Sequence, residues 1–134
     1  MTELVTGEKF ELTVTQQYDM EILSDTIITA IEGGIGYWSV CTEYKWQDKK
    51  PHEIFAKVQI EDELRDEDDQ DEYLIDCQVI KRGLERILGG GVPLGAQILG
   101  YIHQSLNEGD AGMIDAIAAD CIVQAGLFNE VRYG

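Results

Sequence analysis

From Lys9 to Thr15 apolar and polar positions alternate: Phe10, Leu12 and Val14 fall on one side, Lys9, Glu11, Thr13 and Thr15 on the other. Period two with β-branched residues predicts a half-buried strand. The period then lengthens. Leu23, Ile27, Ala30 and Ile31 share a face at 3.6 residues per turn, which predicts a helix capped by Asp19, or later by Ser24, and stopped at Gly33. Alternation returns after Gly36. Trp38, Val40, Thr42, Tyr44 and Trp46 fall on one face of a strand, with Tyr37, Ser39, Cys41, Glu43 and Lys45 on the other. Beyond a polar connection from Gln47 to Glu53, Ile54, Ala56, Val58 and Ile60 alternate with Phe55, Lys57 and Gln59, the cleanest strand signal in the chain. The short connection predicts antiparallel pairing of these two strands.

Tyr73-Leu74-Ile75 reads as a third strand of the sheet. Asp76 is placed to cap a helix from Cys77 to Leu88 with the stripe Ile80, Leu84, Ile87 and Leu88. Gly89-Gly90-Gly91-Val92-Pro93 reads as a hinge or loop. Ile98, Tyr101, Ile102 and Leu106 recur at helical spacing, and Asn107 to Asp110 breaks that helix. Asp110 or Asp115 caps a last helix with Ile114, Ile117, Ala118, Cys121, Ile122 and Ala125 on one face. Its steps of three and four suit a core or a dimer seam. Leu127 to Tyr133 is apolar enough to return as a docked strand. The pattern as a whole predicts one α+β domain over residues 1–134: a small antiparallel sheet of four or five strands against about four helices.

Charge changes this picture. Twenty-six acids against ten bases give a net charge of −16. Such repulsion favours solubility and opposes contact with nucleic acids or anionic membranes, leaving a basic protein surface as the natural partner. Half of the net charge lies in residues 61–72, where nine of twelve residues are acidic and one is basic. That density stays in solvent or meets cations. Asp62, Glu63, Asp66, Glu67, Asp68, Asp69, Asp71 and Glu72 are the candidate partner-binding residues. The run is no EF-hand: counted from Asp66, Asp71 stands where the loop needs glycine and Cys77 where it needs the bidentate Glu. Only loose divalent binding is left open.

No apolar run approaches the roughly 20 residues that span a bilayer, and Met1 to Glu11 lacks a basic then apolar leader pattern. Cys41, Cys77 and Cys121 are odd in number, widely spaced and set among apolar neighbours, which predicts buried, reduced thiols in a cytoplasmic protein. With His52 and His103 the only imidazoles, no metal-ligand spacing and no cofactor motif is present. Nor is there a nucleophile beside a base. Asp115 and Asp120, five apart on a helix, point to different sides. The expectation is a protein without enzymatic activity.

A second candidate site is the turn Gly33-Gly34-Ile35-Gly36-Tyr37-Trp38. Three glycines let the backbone reverse and be closely approached, and two aromatics offer stacking surface. The order helix, glycines, strand is the reverse of a dinucleotide-binding fingerprint. With Lys81, Arg82 and Arg86 as phosphate partners, Gly33, Gly34, Gly36, Tyr37 and Trp38 are the candidate residues of an oligomeric small-molecule or nucleotide-binding sponge, the alternative to an acidic binding protein.

Glu32-Gly33-Gly34-Ile35-Gly36-Tyr37-Trp38, the Arg82-Gly83-Leu84 helix and the ending Gln124-Ala125-Gly126-Leu127-Phe128-Asn129-Glu130-Val131-Arg132-Tyr133-Gly134 resemble small uncharacterised acidic proteins of bacteriophages and prophages. Those proteins often carry glycine where Asn129 stands. The resemblance transfers no catalytic residue. It implies a bacterial cytoplasm and a role in host takeover or anti-defence, as an inhibitor that engages a basic, nucleic-acid-binding protein surface.

Overall fold

In the computed structural model, which describes residues 7–134, the cleanest alternating segment becomes the centre of the sheet. In β2 (Phe55–Ile60) Ala56, Val58 and Ile60 are buried, while Phe55, Lys57 and Gln59 face away from the helices. β1 (Ser39–Lys45) and β3 (Tyr73–Ile75) flank it antiparallel in the order β1-β2-β3. Ala56 lies opposite Tyr44 on one side and Ile75 on the other. The fold is α+β, with four helices against this sheet.

The helices follow their caps and stripes. α1 (Met20–Thr29) starts after Asp19, but neither expected cap forms: the Asp19 side chain makes no capping hydrogen bond and Ser24, inside the helix, donates to the Glu21 carbonyl. The helix continues through one wide turn, Ala30–Gly34, closed by Ile35 N–H donating to the Ala30 carbonyl at 2.9 Å. α2 (Cys77–Leu88) begins with the Asp76 carboxylate accepting from Val79 N at 3.0 Å and buries Ile80, Leu84 and Ile87. α3 (Ala96–Glu108) buries Ile102 and Leu106 and ends at Gly109 with φ +80°. α4 (Ala116–Phe128) is capped by Asp115, which accepts from Ala118 N at 2.8 Å.

α4 is the centre of the molecule, buried without interruption from Ala118 to Gly126. Two glycines let α2 cross it backbone to backbone. A Cβ on Gly83 would stand 2.1 Å from the Ile122 carbonyl oxygen, and one on Gly126 would stand 2.2 Å from that of Val79. Neither position can carry a side chain at this separation.

Several expectations are corrected. The described sheet has three strands, where four or five were expected. Lys9–Thr15 forms no regular element and pairs with no strand among the described residues, and Phe10, Leu12 and Val14 stand 67%, 77% and 64% exposed. Period two specifies strand geometry without supplying a partner edge. The face Trp38–Val40–Thr42–Tyr44–Trp46 is broken by a bulge between Cys41 and Glu43. The extra residue inverts the alternation, so Tyr44 joins the inner face opposite Ala56 while Val40 points outward. The last helix is not a one-faced stripe: Ile117 is 62% exposed, and the small residues around α4 allow packing on every side. Leu127–Tyr133 docks, though not as a strand, because α4 runs to Phe128. Gly89–Val92 is a bonded cap: Gly91 and Val92 N–H groups donate to the Arg86 carbonyl, and Val92 is buried. Cys77 and Cys121 are buried as expected, whereas Cys41 is exposed on the edge strand.

Candidate functional site

The glycine-aromatic turn and the last helix meet at one buried polar node, which the C-terminal residues connect to the acidic run. On α4, Asp120 and Gln124 are one turn apart, and Gln124 Nε2 donates to Asp120 Oδ1 at 2.8 Å. The same carboxylate accepts from the Trp38 indole N–H at 2.9 Å and from the Tyr37 hydroxyl at 2.5 Å. Trp38 is fully buried. Half of the Tyr37 ring meets solvent, yet cover around its hydroxyl, then the hydrogen bond and negative charge of Asp120, push its pKa up beyond the usual tyrosine range. Tyr37 therefore stays a neutral donor.

Gln124 carries the node to the C-terminal residues. Its Oε1 accepts from the backbone N–H groups of Arg132 (2.7 Å) and Tyr133 (2.9 Å), and its Nε2 donates to the Tyr133 carbonyl at 3.1 Å. The Tyr133 ring stacks on Trp38 at 5.3 Å and 20°. Asn129 starts this return at φ +60°, ending α4 in the left-handed conformation that glycine most often supplies.

Arg132 then holds the acidic loop. Its guanidinium lies 4.2 Å over the Phe128 ring and donates to Asp69 Oδ1 at 2.8 Å. Asp69 also accepts from the Tyr73 hydroxyl (3.1 Å) and from Asp66 N–H (2.9 Å), and only 3% of its side chain is exposed. Burial works to raise the Asp69 pKa, but the Asp66 N–H, the Arg132 guanidinium and the Tyr73 hydroxyl outweigh it and hold the carboxyl below the ordinary range. The loop is fixed elsewhere too. Glu61 N–H donates to the Trp38 carbonyl at 2.9 Å, Thr42 Oγ1 donates to Glu72 at 2.7 Å, and Arg65 pairs with Asp71.

The eight loop residues singled out from the sequence thus divide. Asp69 is turned inward, and Asp71 and Glu72 have partners within the loop or on β1. Asp62, Glu63, Asp66, Glu67 and Asp68 are exposed, and their carboxylates have no hydrogen bond or ion pair among the described residues. Five carboxylates of this loop thus stand in solvent among the described residues, while Asp69 ties the loop to Arg132.

The other candidate set is dispersed. Gly34 packs against the start of α4, where a Cβ would stand 2.8 Å from the Ala116 carbonyl oxygen. Gly33 and Gly36 are exposed, and Trp38 is enclosed in the core. Arg82 Nε donates to the Gly126 carbonyl at 2.8 Å, and Arg86 Nη1 donates to those of Ala125 and Gly126 at 2.8 and 3.0 Å. Both bases neutralise the negative end of α4. Lys81 is exposed near Glu85, at the rim of an apolar cavity of about 750 Å³ with Leu84, Leu88, Met20 and Leu106 in its walls. The glycines, the aromatics and the bases therefore do not converge on one phosphate-sized site.

Asp120, Gln124, Arg132 and Tyr133 organise the site, and none was singled out as a functional residue. A carboxylate and an amide at i and i+4 inside an otherwise apolar helix were the available signal. Among the described residues no group of three or more His, Cys, Asp or Glu is arranged to hold a metal ion, and no helix is long and apolar enough to cross a membrane. No protein-family model, curated protein or solved structure matches the chain.

Proposed function

We propose that this is a non-enzymatic binding protein whose 61–72 loop docks on a basic protein surface of the kind that nucleic-acid-binding proteins present. One observation carries the reading: Asp69 anchors the loop while Asp62, Glu63, Asp66, Glu67 and Asp68 remain in solvent without partners among the described residues. An ordered loop loses less conformational freedom on binding than a free chain of the same charge. Clustered carboxylates steer a cationic partner and disfavour anionic ones. The likeness of the glycine-aromatic turn and the chain ending to phage proteins supplies the biological setting, inhibition of a host or defence protein in a bacterial cytoplasm.

The test is affinity capture from a bacterial lysate at low and high salt. One bait is the native chain, and the other has the five unpartnered carboxylates changed to Asn or Gln with Asp69 retained. The expected result is a basic protein held by the native bait at low salt, released at high salt, and absent from the variant. Capture of the same proteins by both baits would remove the loop from the mechanism.

A further inference from the structure

Residues 130–134 follow α4 without joining a helix or strand, and among the described residues they make no backbone–backbone hydrogen bond. They are held as a bound peptide is held, by side chains of the body. The Gln124 amide contacts their main chain, accepting from the Arg132 and Tyr133 N–H groups and donating to the Tyr133 carbonyl. Two slots take their side chains. The Arg132 guanidinium lies over the Phe128 ring and ends on the Asp69 carboxylate. The Tyr133 ring stacks on Trp38 and meets Phe128 edge-on at 6.1 Å and 84°. Beyond it stands Gly134 with φ +118°, where a Cβ would come within 2.9 Å of the Tyr37 hydroxyl oxygen. Main-chain hydrogen bonds for affinity and separate slots for side chains are how proteins recognise extended peptides.

We propose that this groove receives an Arg-aromatic-Gly segment of a basic protein, and that residues 132–134 occupy it as an internal stand-in which the partner segment displaces. The residues now in the groove name the occupant. A planar cation that stacks on Phe128 while bonding Asp69 selects Arg over Lys. The exposed face of Trp38 offered to Tyr133 selects an aromatic ring, and the left-handed position after it selects glycine. Charge supports the same choice. Asp66, Glu67 and Asp68 stand exposed next to Asp69 in the chain, so further bases beside the incoming Arg are attracted there. The inference rests on the acidic-loop reading for the basic character of the partner, and it names the segment of that partner which is bound. The incoming Arg takes the place of Arg132 on Asp69, so the loop keeps its anchor during the exchange.

The native tail competes at an effective concentration on the order of millimolar, so the test empties the groove. The probe is a fluorescein-labelled peptide with the sequence of residues 129–134, read by anisotropy. It is titrated with the native chain, with Arg132→Ala/Tyr133→Ala, and with Arg132→Ala alone, which keeps the Tyr133 stack should the double variant lose its circular dichroism melt. The expected result is binding about tenfold or more tighter to the emptied chains than to the native one. That gain is lost when Asp69→Asn is added, or when alanine replaces Arg and Tyr in the peptide. Unlabelled peptide at millimolar concentration speeds hydrogen exchange at the Arg132 and Tyr133 amides of the native chain, an effect that a purely structural tail would not show. Peptide binding survives neutralisation of the five exposed loop carboxylates with Asp69 kept, so failure of the loop reading leaves this result standing. Equal binding by native and emptied chains would overturn the inference. So would binding indifferent to Asp69 or to the peptide's Arg and Tyr, or no binding to either emptied chain. A native dimer that Arg132→Ala abolishes would give the groove to a second copy and overturn it as well.

Discussion

Asp120 and the loop that begins at Glu61 are both acidic, and they use their charge in opposite ways. Asp120 is enclosed and accepts from Tyr37, Trp38 and Gln124, so its charge is spent inside the fold. Five loop carboxylates accept from nothing among the described residues. Asp69 lies between these cases, a loop residue turned inward to Arg132. The difference separates carboxylates that hold the structure from those that remain in solvent. A net charge alone cannot make that distinction.

The largest effects fall on the interior. Asp120→Ala leaves the indole N–H of Trp38 and the amide of Gln124 without their acceptor in a buried site. Breaking such a network costs about 3–5 kcal/mol, read as a lower urea midpoint with unchanged slope. Gly83→Ala has a comparable effect for a different reason. Its Cβ would meet the Ile122 carbonyl oxygen at 2.1 Å, so α2 and α4 must separate, at a cost of about 3 kcal/mol.

The anchor comes next. Arg132→Ala costs about 1–2 kcal/mol and speeds hydrogen exchange at the amides of residues 66–71, leaving the centre of α4 protected. pH acts on the same tether. The folded Asp69 carboxyl titrates below its unfolded value, so its stabilisation is complete above the ordinary carboxylate range and is lost as pH falls through the folded value. Arg132→Ala should therefore flatten the acid limb of the stability curve.

Tyr44→Phe has a smaller effect of opposite sign. The Tyr44 hydroxyl is the buried side-chain polar atom without a partner among the described residues. Burial, then the charges of Glu32 and Cys41, push its pKa up to about 12. Removing the hydroxyl stabilises by about 0.5–1 kcal/mol, seen as a higher melting temperature.

Much of this arrangement was legible from residue order. Asp76 and Asp115 act as caps, each accepting from the backbone N–H three residues on, whereas Asp19, equally placed before α1, makes no such bond. The boundaries of α2 and the buried face of β2 follow equally directly. Relations between distant segments were not legible. The bulge at Cys41–Glu43 changes which face Tyr44 occupies, and local alternation contains no trace of an inserted residue. Arg82 and Arg86 read as phosphate ligands until α4 brings its C-terminal carbonyls to them. Within the acidic run, nothing local singles out Asp69, because its partner stands 63 residues away.

The most direct measurement is the chemical denaturation of the chain with Asp62, Glu63, Asp66, Glu67 and Asp68 changed to Asn or Gln. If these carboxylates are held for a partner, stability stays within about 0.5 kcal/mol of the native chain or rises as repulsion falls. A loss comparable to that of Asp120→Ala would show that the loop charges serve the fold, and would contradict the division drawn between them and the interior.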